Sequence, residues 1–210
     1  MSLKSDFTID VIDTHTEGEP TRIMFWNNIP KNLRDALSVR KYFIDHYDYI
    51  RKILLLEPRG HKDQFGAILL PPVNPDSDYT VIYPTTESYL DMCGHATIGV
   101  STALVALGYV PFEGNEKTLV YDTVAGTVKA RVKIENGEPV SVSIVDVKSY
   151  FVKHIRVNVN GKDVGVNISY GGNFYAIAIV PEITGRAWVT QLCKLIVDPS
   201  DPLKHGFLVQ

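Results

Sequence analysis

Asp91-Met92-Cys93-Gly94-His95-Ala96-Thr97-Ile98-Gly99-Val100-Ser101-Thr102-Ala103-Leu104-Val105-Ala106-Leu107-Gly108 decides the fold, because it is a helix-forming run with strand-like sequence on both sides. Ala96, Val100, Ala103, Leu104 and Leu107 recur at helical spacing. They predict a buried stripe on a helix over roughly 96–107, with Gly108 as its C′ residue.

On the amino-terminal side, Phe7 to Thr14 alternates apolar and polar residues, the period of a half-buried strand. A carboxylate-bearing turn, Glu17-Gly18-Glu19-Pro20, leads to a second strand from Thr21 to Trp26. From Leu33 to Leu56 apolar residues recur every three to five positions, which predicts one or two amphipathic helices. Phe65–Leu70 and Tyr79–Tyr83 read as strands joined by the Pro71–Asp76 loop. On the carboxyl-terminal side strands dominate: Leu119–Tyr121, then Thr127–Ile134, then Val140–Val145 after the Glu135-Asn136-Gly137-Glu138 turn. Asn160-Gly161 marks another hairpin. The predicted class is α+β, mostly antiparallel strands around a central helix.

With 45% hydrophobic and 21% charged residues, the chain has the composition of a globular protein, not a disordered one. A formal net charge of -3 with scattered Lys and Arg argues against nucleic acid or an anionic membrane as partner. No run approaches the roughly 18 apolar residues of a membrane span. The two cysteines, Cys93 and Cys193, are too few for a disulfide framework or a cysteine zinc site. The polar opening residues carry no apolar signal region, so the expectation is a cytoplasmic protein with reduced thiols.

Cys93 enters the helix at its start, where first-turn N–H groups and the helix dipole favour a thiolate and predict a lowered pKa. Gly94 and His95 offer backbone N–H groups to an anion, and Gly94 has no Cβ to keep that anion at a distance. A thiol beside a carboxylate cradle suits removal of an α-proton from a small amino acid. The residues also permit a plainer reading, a small buried hydrophobe at a helix start.

Four motifs then carry a resemblance. They are Asp13-Thr14-His15-Thr16-Glu17-Gly18-Glu19-Pro20-Thr21-Arg22, Leu56-Glu57-Pro58-Arg59-Gly60-His61, Met92-Cys93-Gly94-His95-Ala96-Thr97-Ile98-Gly99 and Ser169-Tyr170-Gly171-Gly172-Asn173-Phe174-Tyr175-Ala176. A fifth runs from Pro181-Glu182-Ile183-Thr184-Gly185 to Asp201-Pro202-Leu203. In these the chain resembles the proline racemase family, which includes hydroxyproline epimerases and trans-3-hydroxyproline dehydratases. The resemblance implies the fold of diaminopimelate epimerase, two α+β lobes around a cleft. It implies a cofactor-free isomerase of a small cyclic imino acid, in which two thiols exchange the α-proton from opposite faces. Cys93 matches the first thiol, and Gly94 and His95 match the carboxylate contacts.

The second half-site is absent from the sequence. The family carries a Cys-Gly-Thr motif between the Gly-Gly-Asn strand and Pro-Glu-Ile-Thr-Gly, whereas here Ala178-Ile179-Val180 runs straight into Pro181. Cys193 has no Gly-Thr after it and reads as a core cysteine in a returning strand or helix. The expected organisation is a discontinuous first lobe, residues 1–147 plus 182–210, with 148–181 as a remnant of a truncated second lobe. Unpaired strand edges on such a remnant favour a homodimer. The chain as it stands is expected to racemise poorly, and a non-catalytic binding or assembly module is the alternative from another class.

Other candidates are weaker. His61 is either a pocket residue orienting substrate or a loop histidine bonded to backbone. His15 with Glu17 and Glu19 has metal-ligand residue types at no recognised metal spacing, so a structural turn and no metal is expected. Asp10 and Asp13 point to opposite faces of one strand. Asn167-Ile168-Ser169 is a formal glycosylation sequon, uninformative inside the cytoplasm.

Overall fold

The computed structural model describes residues 6–159, 161–175, 182–197 and 199–206. Residues 176–181, where the expected junction falls, and the turn residue Asn160 lie outside this set.

Strands β1 (Phe7–Thr16), β2 (Glu19–Phe25), β3 (Phe65–Leu70), β4 (Tyr79–Pro84), β5 (Tyr89–Leu90), β6 (Glu116–Thr123), β7 (Gly126–Glu135) and β8 (Glu138–Val145) join β12 (Glu182–Gly185) and β13 (Ala187–Val197) in one ten-stranded sheet. Its order is β12-β8-β7-β6-β4-β3-β2-β1-β13, with β5 paired to β4. Most pairs are antiparallel; β2·β3 and β4·β6 are parallel. The two ends of this order, β12 and β13, are consecutive in the chain and separated by Arg186 alone. The sheet therefore curls until its edges meet. Strands β9 (Tyr150–Val159), β10 (Lys162–Tyr170) and β11 (Phe174–Tyr175) form a separate three-stranded sheet.

Helix α2 (Gly94–Ala106) lies inside the curl, touching β1, β2, β3, β7, β8, β12 and β13. It is buried on every side from Ala96 to Val105, not along one stripe, and the expected stripe residue Leu107 is instead 36% exposed. The reason is that the sheet surrounds the helix; Leu107 lies past its last enclosed turn. Its buried hydroxyls satisfy one another: Thr97 Oγ1 and the Tyr83 hydroxyl are 2.7 Å apart, and Ser101 Oγ and the Tyr121 hydroxyl 2.8 Å. Gly99 allows the helix to lie against β1, since a Cβ there would fall 2.5 Å from Thr14 Oγ1.

Helix α1 (Ala36–Leu55) packs on the outside as a single element. Asp35 caps it: its carboxylate accepts from Ser38 N at 2.7 Å, and Ser38 Oγ accepts in return from Asp35 N. Val39, Phe43, Ile50, Ile53 and Leu54 meet the outward residues Ile9, Val11, Met24, Ile68, Leu70 and Ile82. The inward residues Ile12, Ile23, Ala67, Leu69, Val81 and Tyr83 meet α2 instead. Strand β3 is apolar throughout because it lies between these two cores. Strand β7 alternates because Val128, Ala130, Val132 and Ile134 face inward while Lys129, Arg131 and Lys133 are exposed. At the β7–β8 turn Asn136 and Gly137 both have positive φ, 53° and 84°, as the expected hairpin requires.

The first motif builds the base of this layer. Arg22 holds Asp13 through two bonds of 2.8 Å and also donates to the Leu54 and Arg59 carbonyls, tying β1 and β2 to the end of α1. Asp10 faces away, paired with Lys194 at 2.7 Å. His15 stacks on Trp188 and accepts from Gly18 N at 3.2 Å, a structural role in the turn.

Candidate active site

Cys93 is the N-cap of α2, in extended backbone at φ −139° and ψ 113°. Its sulfur is held at the floor of a cavity of about 680 Å³ whose lining includes Glu19, Phe65, Met92, Gly94, His95 and Asp146. The helix start is fixed from three directions. Thr97 Oγ1 donates to the Cys93 carbonyl at 2.7 Å, Thr16 Oγ1 to the His95 carbonyl at 2.8 Å, and Asn173 Nδ2 to the Met92 carbonyl at 2.6 Å. Asn173 also accepts from Asp91 N at 3.1 Å, so the Ser169–Ala176 motif clamps the strand leading into Cys93. Gly94 and His95 line the cavity at the amino-terminal end of α2, the end of the helix dipole that favours an anion.

The thiol is not activated as expected. Burial pushes Cys93 up from 9.0 to about 12, aided by the charge of Glu19, and the Ala96 N–H lowers it too little to compensate. The cost of burying a thiolate exceeds the help of the helix terminus. Burial likewise holds the His95 imidazole below its usual range, against the pull of Glu19 and of the Pro20 backbone. Cys93 Sγ lies 3.4 Å from His95 Nδ1, so a neutral ring stands within reach of the S–H proton. The edge of Phe65 closes one side of that ring.

Cys93, Gly94 and His95 line one cavity, whereas His61 does not join them. His61 is exposed on the loop after α1, where its Nδ1 accepts from Asp63 N at 3.3 Å, and it is absent from the cavity lining. Cys193 sits in β13 opposite Val11 and lines a different cavity with Phe25 and Tyr109. The sequence reading missed the wall formed by Thr85, Thr86, Glu87 and Ser88, and also Asp146. The dipeptide Thr85-Thr86 carries no pattern, and only its position between two paired strands brings it here. Among the described residues no group of three His, Cys, Asp or Glu is placed to hold a metal ion. None of the described helices is long and apolar enough to cross a membrane.

The family described as proline racemase matches residues 11–178 and 176–208, almost the whole chain in two segments. The chain belongs to the proline racemase family. Among its relatives, a 4-hydroxyproline 2-epimerase of Streptosporangium roseum is 42% identical over 176 residues, 82% of this chain and 52% of the relative. A proline racemase of Acetoanaerobium sticklandii is 35% identical over 209 residues, 96% of this chain and 62% of the relative. The chain thus spans between about half and three-fifths of the length of these racemase-family relatives. In fold it is similar to a crystal structure of a hydroxyproline epimerase from Agrobacterium vitis with bound trans-4-hydroxy-L-proline, at TM-score 0.85 and 16% identity, covering 97% of this chain and 96% of that one. Three of the five quoted motifs meet at α2: the first packs on the helix, the third starts it and Asn173 of the fourth clamps its entry.

Proposed function

We propose that this chain carries one half of a proline racemase site, with Cys93 as the acid/base that exchanges the α-proton of proline or 4-hydroxyproline. The observation that carries this reading is the juxtaposition on one cavity of a buried thiol with Gly94 and His95 at the start of a helix. The substrate carboxylate sits on the amides of these two residues, which also favour the enolate-like charge that develops as the α-proton leaves. Burial keeps Cys93 protonated at rest, so exchange from its face runs through the minor thiolate, which takes the α-proton and returns a solvent-derived one to the same face. Removal of the proton from the other face needs a second group, and the chain has no second thiol in this cavity.

Residues 1–147 with 182–210 form the first lobe in this reading, and 148–181 the remnant. Its support is that β12 and β13 complete the ten-stranded sheet while β9–β11 stand apart from it. Intact-mass spectrometry of the native protein tests it; a mass well above 23.4 kDa would show that more of the second lobe exists. Exposed Tyr150, Phe151 and Phe174 on the small sheet support self-association, read by sedimentation. The two free cysteines support a reducing compartment such as the cytoplasm.

The functional test is proton exchange at the α-carbon of L-proline and trans-4-hydroxy-L-proline in D2O, followed by NMR and polarimetry. Wild type is expected to exchange without efficient inversion, and Cys93→Ser to do neither. Equal exchange by the two proteins would refute the role of Cys93, and rapid inversion by the 210-residue chain would refute the half-site. No exchange by wild type would leave a binding module as the reading, favoured by the protonated thiol.

A further inference from the structure

The cavity above Cys93 is acidic. Glu19, Glu87 and Asp146 line it, and among the described residues no Lys or Arg does. Glu19 and Glu87 are exposed at its rim, whereas Asp146 is half-buried at the end of β8. Its Oδ1 accepts from Val147 N at 2.7 Å, and among the described residues it has no cationic partner. Asp91 near by is different: Arg40 pairs with it at 2.7 Å. Lys148 is exposed and does not line the cavity. The charge of Asp146 is therefore carried at a loss in the empty site, and burial raises its pKa accordingly.

Position adds to this. Asp146 Oδ1 would lie 3.7 Å from a Cβ built on Gly172, and the same Cβ would lie 3.1 Å from Cβ of Met92, the residue before the thiol. Gly172 has φ +87° and no side chain, so nothing stands between the Asp146 carboxylate and the segment entering Cys93. Tyr83 beneath the helix start is close enough to feel both Cys93 and Asp146. Asp146, Gly94 and His95 line one cavity, so it offers complementary groups to both ends of a small zwitterion.

Building on the functional reading above, we propose that Asp146 is a positioning residue that pairs with the cationic ring nitrogen of the imino acid. It thereby selects a zwitterion over a simple carboxylate. The pairing holds the ring nitrogen in its protonated form beside the α-carbon, which favours loss of the α-proton to a base.

The test is calorimetric titration of the 210-residue chain and of Asp146→Asn and Asp146→Glu with two probes. L-Proline has a charged ring nitrogen; pyrrole-2-carboxylate offers the carboxylate with an uncharged one. Asp146→Asn is expected to weaken L-proline about tenfold and leave pyrrole-2-carboxylate within about twofold, as loss of one charge-assisted bond predicts. Asp146→Glu should restore part of the loss. Equal effects of Asp146→Asn on both probes, or none on either, would overturn the proposal while leaving the carboxylate cradle intact. Failure of wild type to bind either probe would overturn the functional reading and this proposal with it. A thermal melt accompanies the titration: removing an uncompensated charge should hold or raise the Tm of Asp146→Asn, and a clear fall would show that Asp146 serves the fold instead.

Discussion

The rate at which Cys93 is alkylated by iodoacetamide tests the competition between burial and helix terminus. With a pKa of about 12 in place of 9.0, the thiolate at pH 7 falls from about one molecule in 100 to about one in 10⁵, a thousandfold loss. The more basic thiolate is also the better nucleophile. With a Brønsted slope of about 0.4–0.5, it regains a factor of roughly 15–30. The net expectation is alkylation about 30- to 65-fold slower in folded protein than in the urea-unfolded chain, with restricted access slowing it further. Quantifying the Cys93 peptide by mass spectrometry, in a Cys193→Ser background, gives the rate at each pH. The folded rate should climb about tenfold per pH unit from 7 past 9, while the unfolded rate levels off near 9. A folded rate that exceeds the unfolded one at pH 7, with a plateau below 9, would show that the first-turn amides prevail and refute the argument from burial.

The same shift is a statement about stability. Folded Cys93 keeps its proton up to about pH 12 and unfolded Cys93 only to 9.0, so stability is lost as pH rises through that window. The loss, about 4 kcal/mol in total, should show as a steeper alkaline fall in urea midpoints for wild type than for Cys93→Ser. Gly99→Ala forces a methyl to 2.5 Å from Thr14 Oγ1. Overpacking of about 1–3 kcal/mol outweighs the helix-propensity gain of about 1 kcal/mol, and calorimetry should show a Tm lower by several degrees; a rise would mean that the helix shifts freely. Arg22→Met strands a mostly buried Asp13 carboxylate and two carbonyls. Urea unfolding should record a loss of about 3–5 kcal/mol, partly recovered by adding Asp13→Asn, and no recovery would show that the ion pair is not the cause.

Much of the lobe was legible because its faces meet different surroundings. Thr127–Ile134 alternates since one face is core and the other water, and Phe65–Leu70 is apolar since both faces are covered. Gly108, at φ +71°, ends α2 where the chain predicts. The thiol with its two amides was legible because all three are neighbours in sequence. The remaining walls were not. Asp146, Asn173 and the Thr85–Ser88 loop reach the cavity through strand pairings that no local pattern encodes. The direction of the Cys93 shift was misjudged for a related reason: a helix start is visible in sequence, but the depth of its burial depends on the strands that enclose it.

The single residue between β12 and β13 has a consequence for how this protein is made. Among the described strands β1 comes first in the chain, and its partner β13 comes last. Until the final strand arrives, the outer flank of β1 has no ladder, and α2 lacks two of the walls that cover it. Folding cannot close early in synthesis, and long-range pairing of this kind is slow and leaves the nascent chain prone to aggregation. A ribosome that stops short of β12 releases a chain without its closing strands, and that loss would be felt at Cys93 itself.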